Sequence, residues 1–315
     1  MAKARWVSWS ILFLSIVFVF FCGGCGLQPN MPAAPTPKVV QTTGSDFTSE
    51  IRQATWDAYG KILKEVSDSK FPIDPDMAKE QLDGNETSYL VIDLRSPEHY
   101  AQRHIRGAIN MTLVGLAENL GNLPPNKILL LYCYTGQSSA LAMVPLKAFG
   151  YQAIFVSGGF SLMEQARFTM ESSGNSFYPV KNEPPHDPKV VAVLNGIQAN
   201  LLTIARQHAV KTLVVANSEV KELLAGSPDK YAFVDLRPRD DYAKGHIRGA
   251  ISAPLDELKN RIPNLPKEKR LVLCCKSGQL AAMTTAPLMA EGFKIISLCA
   301  GLSQVEPGLF PQENL

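Results

Sequence analysis

Two hydrophobic rhythms alternate along this chain. Short apolar runs at 90–92, 128–132 and 154–156 fit buried strands, while 97–102, 113–120 and 138–149 carry helical spacing. Gly150 ends the last helix, and Pro145 inside it is expected to kink it. Strands alternating with helices predict an α/β unit, a parallel sheet with helices on both faces. Upstream, Phe47, Ile51, Thr55, Tyr59, Ile62 and Val66 share one helical face, which predicts a lead helix within 47–71.

The same pattern returns further along the chain. YLVIDLR at 89–95 reappears as YAFVDLR at 231–237, and HIRGAI at 104–109 reappears at 246–251. Both steps are 142 residues (89 to 231, 104 to 246), and the same step carries Cys133 onto Cys275 and Pro145 onto Pro287. One shift without a gap marks a duplication of a unit large enough to fold alone. A second lead helix is predicted from Val190, Leu194, Ile197, Leu201 and Ile204, with Asp187 as N-cap and Pro188 in the first position. Each lead helix is expected to pack onto its own unit. A dimer seam is the rival, but two heptads are too few for a coiled coil. The proline-rich stretch 171–187 is the expected boundary.

The first residues follow neither rhythm. Lys3 and Arg5 precede an apolar run at 11–21 broken only by Ser15, and Gly23 and Gly24 follow, as in an export signal. Residues 6–21 are short for a bilayer span, which takes about 20 residues. Cys25 after Gly23-Gly24 resembles a bacterial lipoprotein processing site, although Cys22 stands where leucine is usual. The expectation is a chain exported and anchored to a cell-envelope membrane through lipid on Cys25, with an uncleaved signal anchor as the alternative. The expected organisation is a leader at 1–25, a flexible linker at 26–46 and the lead helix at 47–71. The first unit follows at 72–170, a linker and lead helix at 171–211, the second unit at 212–305 and a tail at 306–315.

Composition changes this picture little. Of 315 residues, 19% are charged and 46% hydrophobic, which suits folded domains, and a net charge of +2 gives no basic face for nucleic acid. Six cysteines are present, with no paired C-x-x-C spacing for zinc outside the leader. A disulfide between the adjacent Cys274 and Cys275 would be strained, and other pairings among the body cysteines stay open.

Candidate chemistry centres on Cys133 and Cys275. Cys133 follows an apolar strand and precedes Tyr134, Thr135, Gly136 and Gln137, with Ser138 and Ser139 opening a helix. Cys275 precedes Lys276, Ser277, Gly278, Gln279 and Leu280 in the same setting. Backbone N–H groups of such a loop and of a helix N-terminus form a cradle for an anion. A cysteine there is expected to be a thiolate, its pKa brought from about 8.5 to roughly 3.5–7.5. A lone cysteine would read as an inert core residue; the repeated strand–loop–helix setting argues otherwise.

Both units resemble rhodanese domains over nearly their full length. The second carries VDLRPRDDYAKGHIRGAISAP and the first IDLRSPEHYAQRHIRGAIN, with Arg103 where the family usually has glycine. CYTGQSS at 133–139 is similar to the loop of single-domain bacterial thiosulfate sulfurtransferases. In CCKSGQLA at 274–281, Leu280 replaces a frequent arginine.

The resemblance implies sulfur transfer through a cysteine persulfide. A small sulfur-containing anion such as thiosulfate is the donor, and a small thiol, cyanide or protein thiol the acceptor. No metal or organic cofactor is called for. Tyr134 and Gln137 are expected to line the entrance, and Ser138 and Ser139 to donate to the anion or cap the helix. Asp93, Arg95, Asp235 and Arg237 are expected to tie strand ends to backbone, and His104 and His246 to orient the loops that follow them. Phosphatase or arsenate-reductase chemistry needs a longer loop and an arginine, which neither loop has. A persulfide carrier or partner-binding module without turnover is the remaining alternative.

Overall fold

The structure is a computed structural model that describes residues 45–68, 72–172, 179–180, 182–183, 185–209, 211–304 and 310–313. The leader, Cys25 and nearly all of the expected linker lie outside the described residues. Among the described residues, no helix is long and apolar enough to cross a membrane.

Helix α1 (Ser45–Asp68) leads the first unit, followed by α2 (Pro75–Gly84), β1 (Tyr89–Asp93), α3 (Pro97–Gln102), β2 (His104–Ile105) and β3 (Ile109–Asn110). The unit continues through α4 (Leu113–Glu118), β4 (Ile128–Tyr132), α5 (Gln137–Phe149), β5 (Gln152–Phe155), α6 (Gly159–Gln165) and β6 (Met170–Glu171). Local chemistry sets the starts. Asp74 accepts from the Asp76 N–H ahead of α2, Ser96 from His99 ahead of α3, and Thr112 from Gly115 ahead of α4. Proline stands first in α2 and α3, where its missing N–H costs nothing. Helix α5 runs on through Pro145.

The second unit repeats this order. It comprises α7 (Pro188–Ala209), β7 (Val214–Val215), α8 (Asn217–Gly226), β8 (Tyr231–Asp235), α9 (Arg239–Lys244), β9 (His246–Ile247) and β10 (Ile251–Ser252). Then come α10 (Leu258–Arg261), β11 (Arg270–Cys274), α11 (Gln279–Ala290), β12 (Lys294–Leu298) and β13 (Gln312–Glu313). As expected, Asp187 accepts from the Lys189 N–H at 2.8 Å, and α7 starts at Pro188.

Each unit holds a parallel sheet, ordered β3-β1-β4-β5 in the first and β10-β8-β11-β12-β7 in the second. The registers coincide, since Asp93 pairs with Tyr132 as Asp235 pairs with Cys274. The fifth strand of the second sheet shrinks in the first to a single parallel bridge between Ile73 and Val156. Residues 310–313, within the stretch expected as a tail, complete the second unit. There β13 pairs antiparallel with β9 as β6 pairs with β2, and Phe310 is buried against Phe233.

The lead helices depart from the expectation. Helix α1 packs on α5, α7 and α11, and α7 packs on α4, α5 and α11, so each lead helix touches both units. One hydrophobic cluster joins Trp56 and Tyr59 of α1, Leu141 and Met143 of α5, Leu201 and Ile204 of α7, and Met283 and Leu288 of α11. The physical reason lies in α5 and α11, apolar nearly all round, whose faces away from their own sheets need other helices as cover. Polar ties join the layers: Lys147 meets Glu65 at 2.7 Å, and the Asn200 amide donates to the Ala286 carbonyl at 2.8 Å. Val190, placed on the apolar face of α7 by its spacing, is exposed because it lies before the covered part of the helix.

Candidate active site

Both cysteines leave their sheets at the same point, the C-terminal end of a central parallel strand. Cys133 follows β4 and Cys275 follows β11, where open α/β sheets place their sites. Three loop residues follow each cysteine, ending in a left-handed glycine, Gly136 at φ 85° and Gly278 at φ 81°. Helices α5 and α11 begin directly after. Both thiols lie deep, Cys133 4% and Cys275 1% exposed. None of the four described cysteines is in a disulfide.

At Cys275 the cradle is visible, for the Gly278 N–H donates to its sulfur at 3.2 Å. Burial nonetheless pushes the Cys275 thiol up, and the N–H groups of Ala281, Gly278, Ser277 and Leu280 pull it down only in part. The expected thiolate is corrected for this residue, because desolvation outweighs the cradle. Alkylation of Cys275 should therefore still be rising at pH values where an ordinary thiol, with pKa about 8.5, has levelled off. Peptide mapping after iodoacetamide labelling from neutral to alkaline pH checks this; a plateau at or below the ordinary range would contradict it. Cys274, in the register place of Tyr132, turns elsewhere and donates to the Val234 carbonyl at 3.4 Å, with its thiol pushed up by burial.

A second loop seals each cysteine from behind. The N–H of Phe160 donates to the Cys133 carbonyl at 2.7 Å, and that of Leu302 to the Cys275 carbonyl at 2.7 Å. Gly159 and Gly301 hold these loops in the left-handed region at φ 60° and 64°. Sequence reasoning missed this pair, although the 142-residue step carries Gly159 onto Gly301.

The other loop residues do not all stand where expected. Thr135, Lys276 and Ser277 are exposed, and Tyr134 is half-buried with the His99 ring against its edge at 5.1 Å between centroids. Gln137 does not line an entrance. Its side chain is buried and crosses to the second unit, donating to Ser297 Oγ at 3.1 Å and the Leu298 carbonyl at 2.9 Å while accepting from the Ala300 N–H at 3.2 Å. Gln279 crosses the other way and donates to the Thr135 carbonyl at 3.3 Å. The two cysteine loops thus clasp each other. The reason is geometric: α5 and α11 pack together, so the first side chain of each faces the partner unit. Ser138 is bonded to His208 at 2.6 Å rather than turned to an anion, whereas the buried Ser139 hydroxyl has no hydrogen-bond partner among the described residues. Leu280 and Ala281 take their places in the second loop, Leu280 half-buried.

The charged residues around the loops are tied down as expected. Arg95 makes a bidentate pair with Asp93 and donates to the Arg103 carbonyl at 2.6 Å, and Arg237 does the same with Asp235 and the Gly245 carbonyl at 2.7 Å. The guanidinium of Arg95 also lies 3.5 Å over the Phe160 ring. His104 and His246 tie back to the preceding helix, while Glu171 and Glu313 accept from the Gly107 and Gly249 N–H groups ahead of β3 and β10. Each histidine has Nδ1 on the carbonyl of the tyrosine it stacks upon and Nε2 near Glu171 or Glu313. Among the described residues, no group of three or more His, Cys, Asp and Glu could hold a metal ion.

Comparison with known proteins gives the same pair of units. The family model for a rhodanese-like domain matches residues 74–166 and again 216–306. The thiosulfate sulfurtransferase PspE of Escherichia coli is 37% identical over 70 residues, which are 22% of this chain and 67% of that protein. A tRNA sulfurtransferase of Desulfurococcus amylolyticus is 34% identical over 82 residues, 26% of this chain, and the match spans only 16% of that protein's length. Among solved structures, that of the 3-mercaptopyruvate sulfotransferase SseA from Escherichia coli is 18% identical, and the match covers 72% of this chain and 98% of that one, at a TM-score of 0.34.

Proposed function

This chain belongs to the rhodanese-like domain family, and on that premise we propose that it is a sulfurtransferase working through a persulfide on Cys133. The observation that carries the reading is the seat of each cysteine: the end of a central strand, a loop closed by a left-handed glycine, and a helix N-terminus. In the second unit a loop N–H already reaches the sulfur. The Cys133 thiolate attacks the outer sulfur of a donor such as thiosulfate; the donor S–S bond breaks, and sulfite leaves with the electron pair. Backbone N–H groups hold the resulting persulfide anion. Cyanide, a small thiol or a protein thiol then takes the outer sulfur, and the Cys133 thiolate is restored. The buried Ser139 hydroxyl, with no partner among the described residues, is our candidate side-chain donor to that anion.

A carrier reading draws support from the depth of both cysteines, 4% and 1% exposed, which leaves little room for rapid exchange with small acceptors. Steady-state turnover with thiosulfate and cyanide separates the two. An enzyme cycles, whereas a carrier takes up one sulfur and stalls. From the leader sequence we further propose that the chain is held on a cell-envelope membrane through lipid on Cys25. A fatty-acid analogue should label the protein and Cys25→Ser should abolish the label. Membrane binding by an intact, unlabelled N-terminus would favour a signal anchor instead.

A further inference from the structure

We propose that His208 is a positioning residue for the Cys133 site, acting through Ser138, so that the first unit's sulfur chemistry depends on a side chain supplied by the helix that leads the second. This rests on the reading of Cys133 as the sulfur-accepting nucleophile. The two side chains are 70 residues apart in sequence, yet Ser138 Oγ and His208 Nε2 lie 2.6 Å apart. Ser138 is the second residue of α5, in the turn that begins the helix directly after the cysteine loop. His208 is in the last turn of α7, fixed by two neighbouring anchors. Ile204 and Ala205 are buried in the core shared by both units, and the Lys211 N–H donates to the His208 carbonyl at 2.9 Å.

The direction of the bond depends on which ring nitrogen of His208 carries the proton. Burial lowers the His208 pKa and favours a neutral ring, while its own backbone carbonyl favours a ring proton. With the single ring proton on Nδ1, the nitrogen nearer that carbonyl, Nε2 is left as the acceptor. In that tautomer Ser138 donates to His208, and in either direction the 2.6 Å bond pins the first turn of α5 from outside its own unit. The N–H groups of that turn are the ones that face the sulfur of a loop cysteine, as those of Leu280 and Ala281 do at Cys275.

The second site has no such tie. The 142-residue step that relates the units takes Ser138 to Leu280 and His208 to Val66, both apolar. Val66 is buried, and Leu280 packs against the same core. The polar pair is thus particular to the Cys133 site.

The test is a double-mutant cycle in the full chain, with Cys133 and Cys275 alkylation rates and thiosulfate kinetics read in each variant. Loss of one hydrogen bond should raise the KM for thiosulfate about two- to tenfold in His208→Ala, with kcat less affected. It should slow Cys133 alkylation by a similar factor and leave Cys275 unchanged. His208→Gln, which keeps an acceptor, should restore part of the loss, and Ser138→Ala combined with His208→Ala should be no worse than Ser138→Ala alone. The proposal is overturned if His208→Ala costs the same factor with and without Ser138. It is equally overturned if both cysteines slow together, or if Cys133 is indifferent to the change. Should Cys133 of the parent protein take up no sulfur, the functional reading fails on its own, and alkylation still decides whether His208 acts on this cysteine.

Discussion

Cys133→Ala should lower thiosulfate-dependent turnover by at least about 10³-fold, the scale of losing a covalent nucleophile, while Cys275→Ala keeps most of it. The two sites share a backbone but differ in what surrounds the sulfur. Burial pushes the Cys275 thiol up and disfavours its thiolate. Position 281 is alanine where the first loop has Ser139, whose hydroxyl is buried and unpaired among the described residues. A hydrogen bond to a charged group is worth about 1.5–3 kcal/mol, or roughly one to two orders of magnitude in rate. Lys276 is exposed, and a screened charge makes up little of that difference at physiological salt. Both cysteines sit in the core, so thermal unfolding must show each variant folded. If Cys275→Ala is the variant that loses activity, the charged loop is the better catalyst and the side-chain argument is wrong.

Gly159→Ala should be the most damaging change that leaves every reactive group in place. A Cβ there would lie 2.3 Å from the Cys133 carbonyl oxygen and 2.6 Å from the Tyr134 carbonyl carbon, both backbone atoms with no freedom to turn aside. The left-handed φ of 60° adds its own penalty, about 1–2 kcal/mol for a residue with a Cβ, and overpacking adds about 1–3 kcal/mol. A loss of about 2–5 kcal/mol in denaturant unfolding is expected, together with slowed persulfide formation at Cys133. Gly301→Ala should do the same to the second site, where the Cβ would meet the Cys275 carbonyl oxygen and the Gly278 nitrogen at 2.4 Å each. Gly107→Ala is the control, with φ at 79° but nothing within 4 Å of its Cβ, so it carries only the conformational cost. Near-identical losses at Gly107 and Gly159 would mean that the sealing loop is not locked onto the cysteine.

Periodicity and the repeat carried the reading of the fold a long way, for a physical reason. Strand 128–132 and helix 97–102 appear with the expected bounds because apolar spacing and a proline start are local signals. The equivalent seats of Cys133 and Cys275 follow from the one gapless shift. What spacing cannot state is the partner of an apolar face. Tyr59 and Ile204 were legible as buried, but not that they would meet in a layer shared by both units. The Gln137 and Gln279 clasp has the same origin: a polar side chain at a helix start reads as solvent-facing until the opposite helix is in place. His208 was beyond reach, because its counterpart is Val66 and the repeat carries no trace of it. The second unit's last strand was legible in hindsight, since the step that relates the units takes Glu171 to Glu313.

The central claim is that Cys133 carries the sulfur. Incubation of the purified full chain with thiosulfate, removal of excess donor and peptide mass spectrometry under non-reducing conditions test it directly. The account predicts a gain of one sulfur on the peptide containing Cys133, lost again on adding cyanide. An unmodified Cys133, with sulfur on Cys275 or Cys299 or on no cysteine at all, would contradict it.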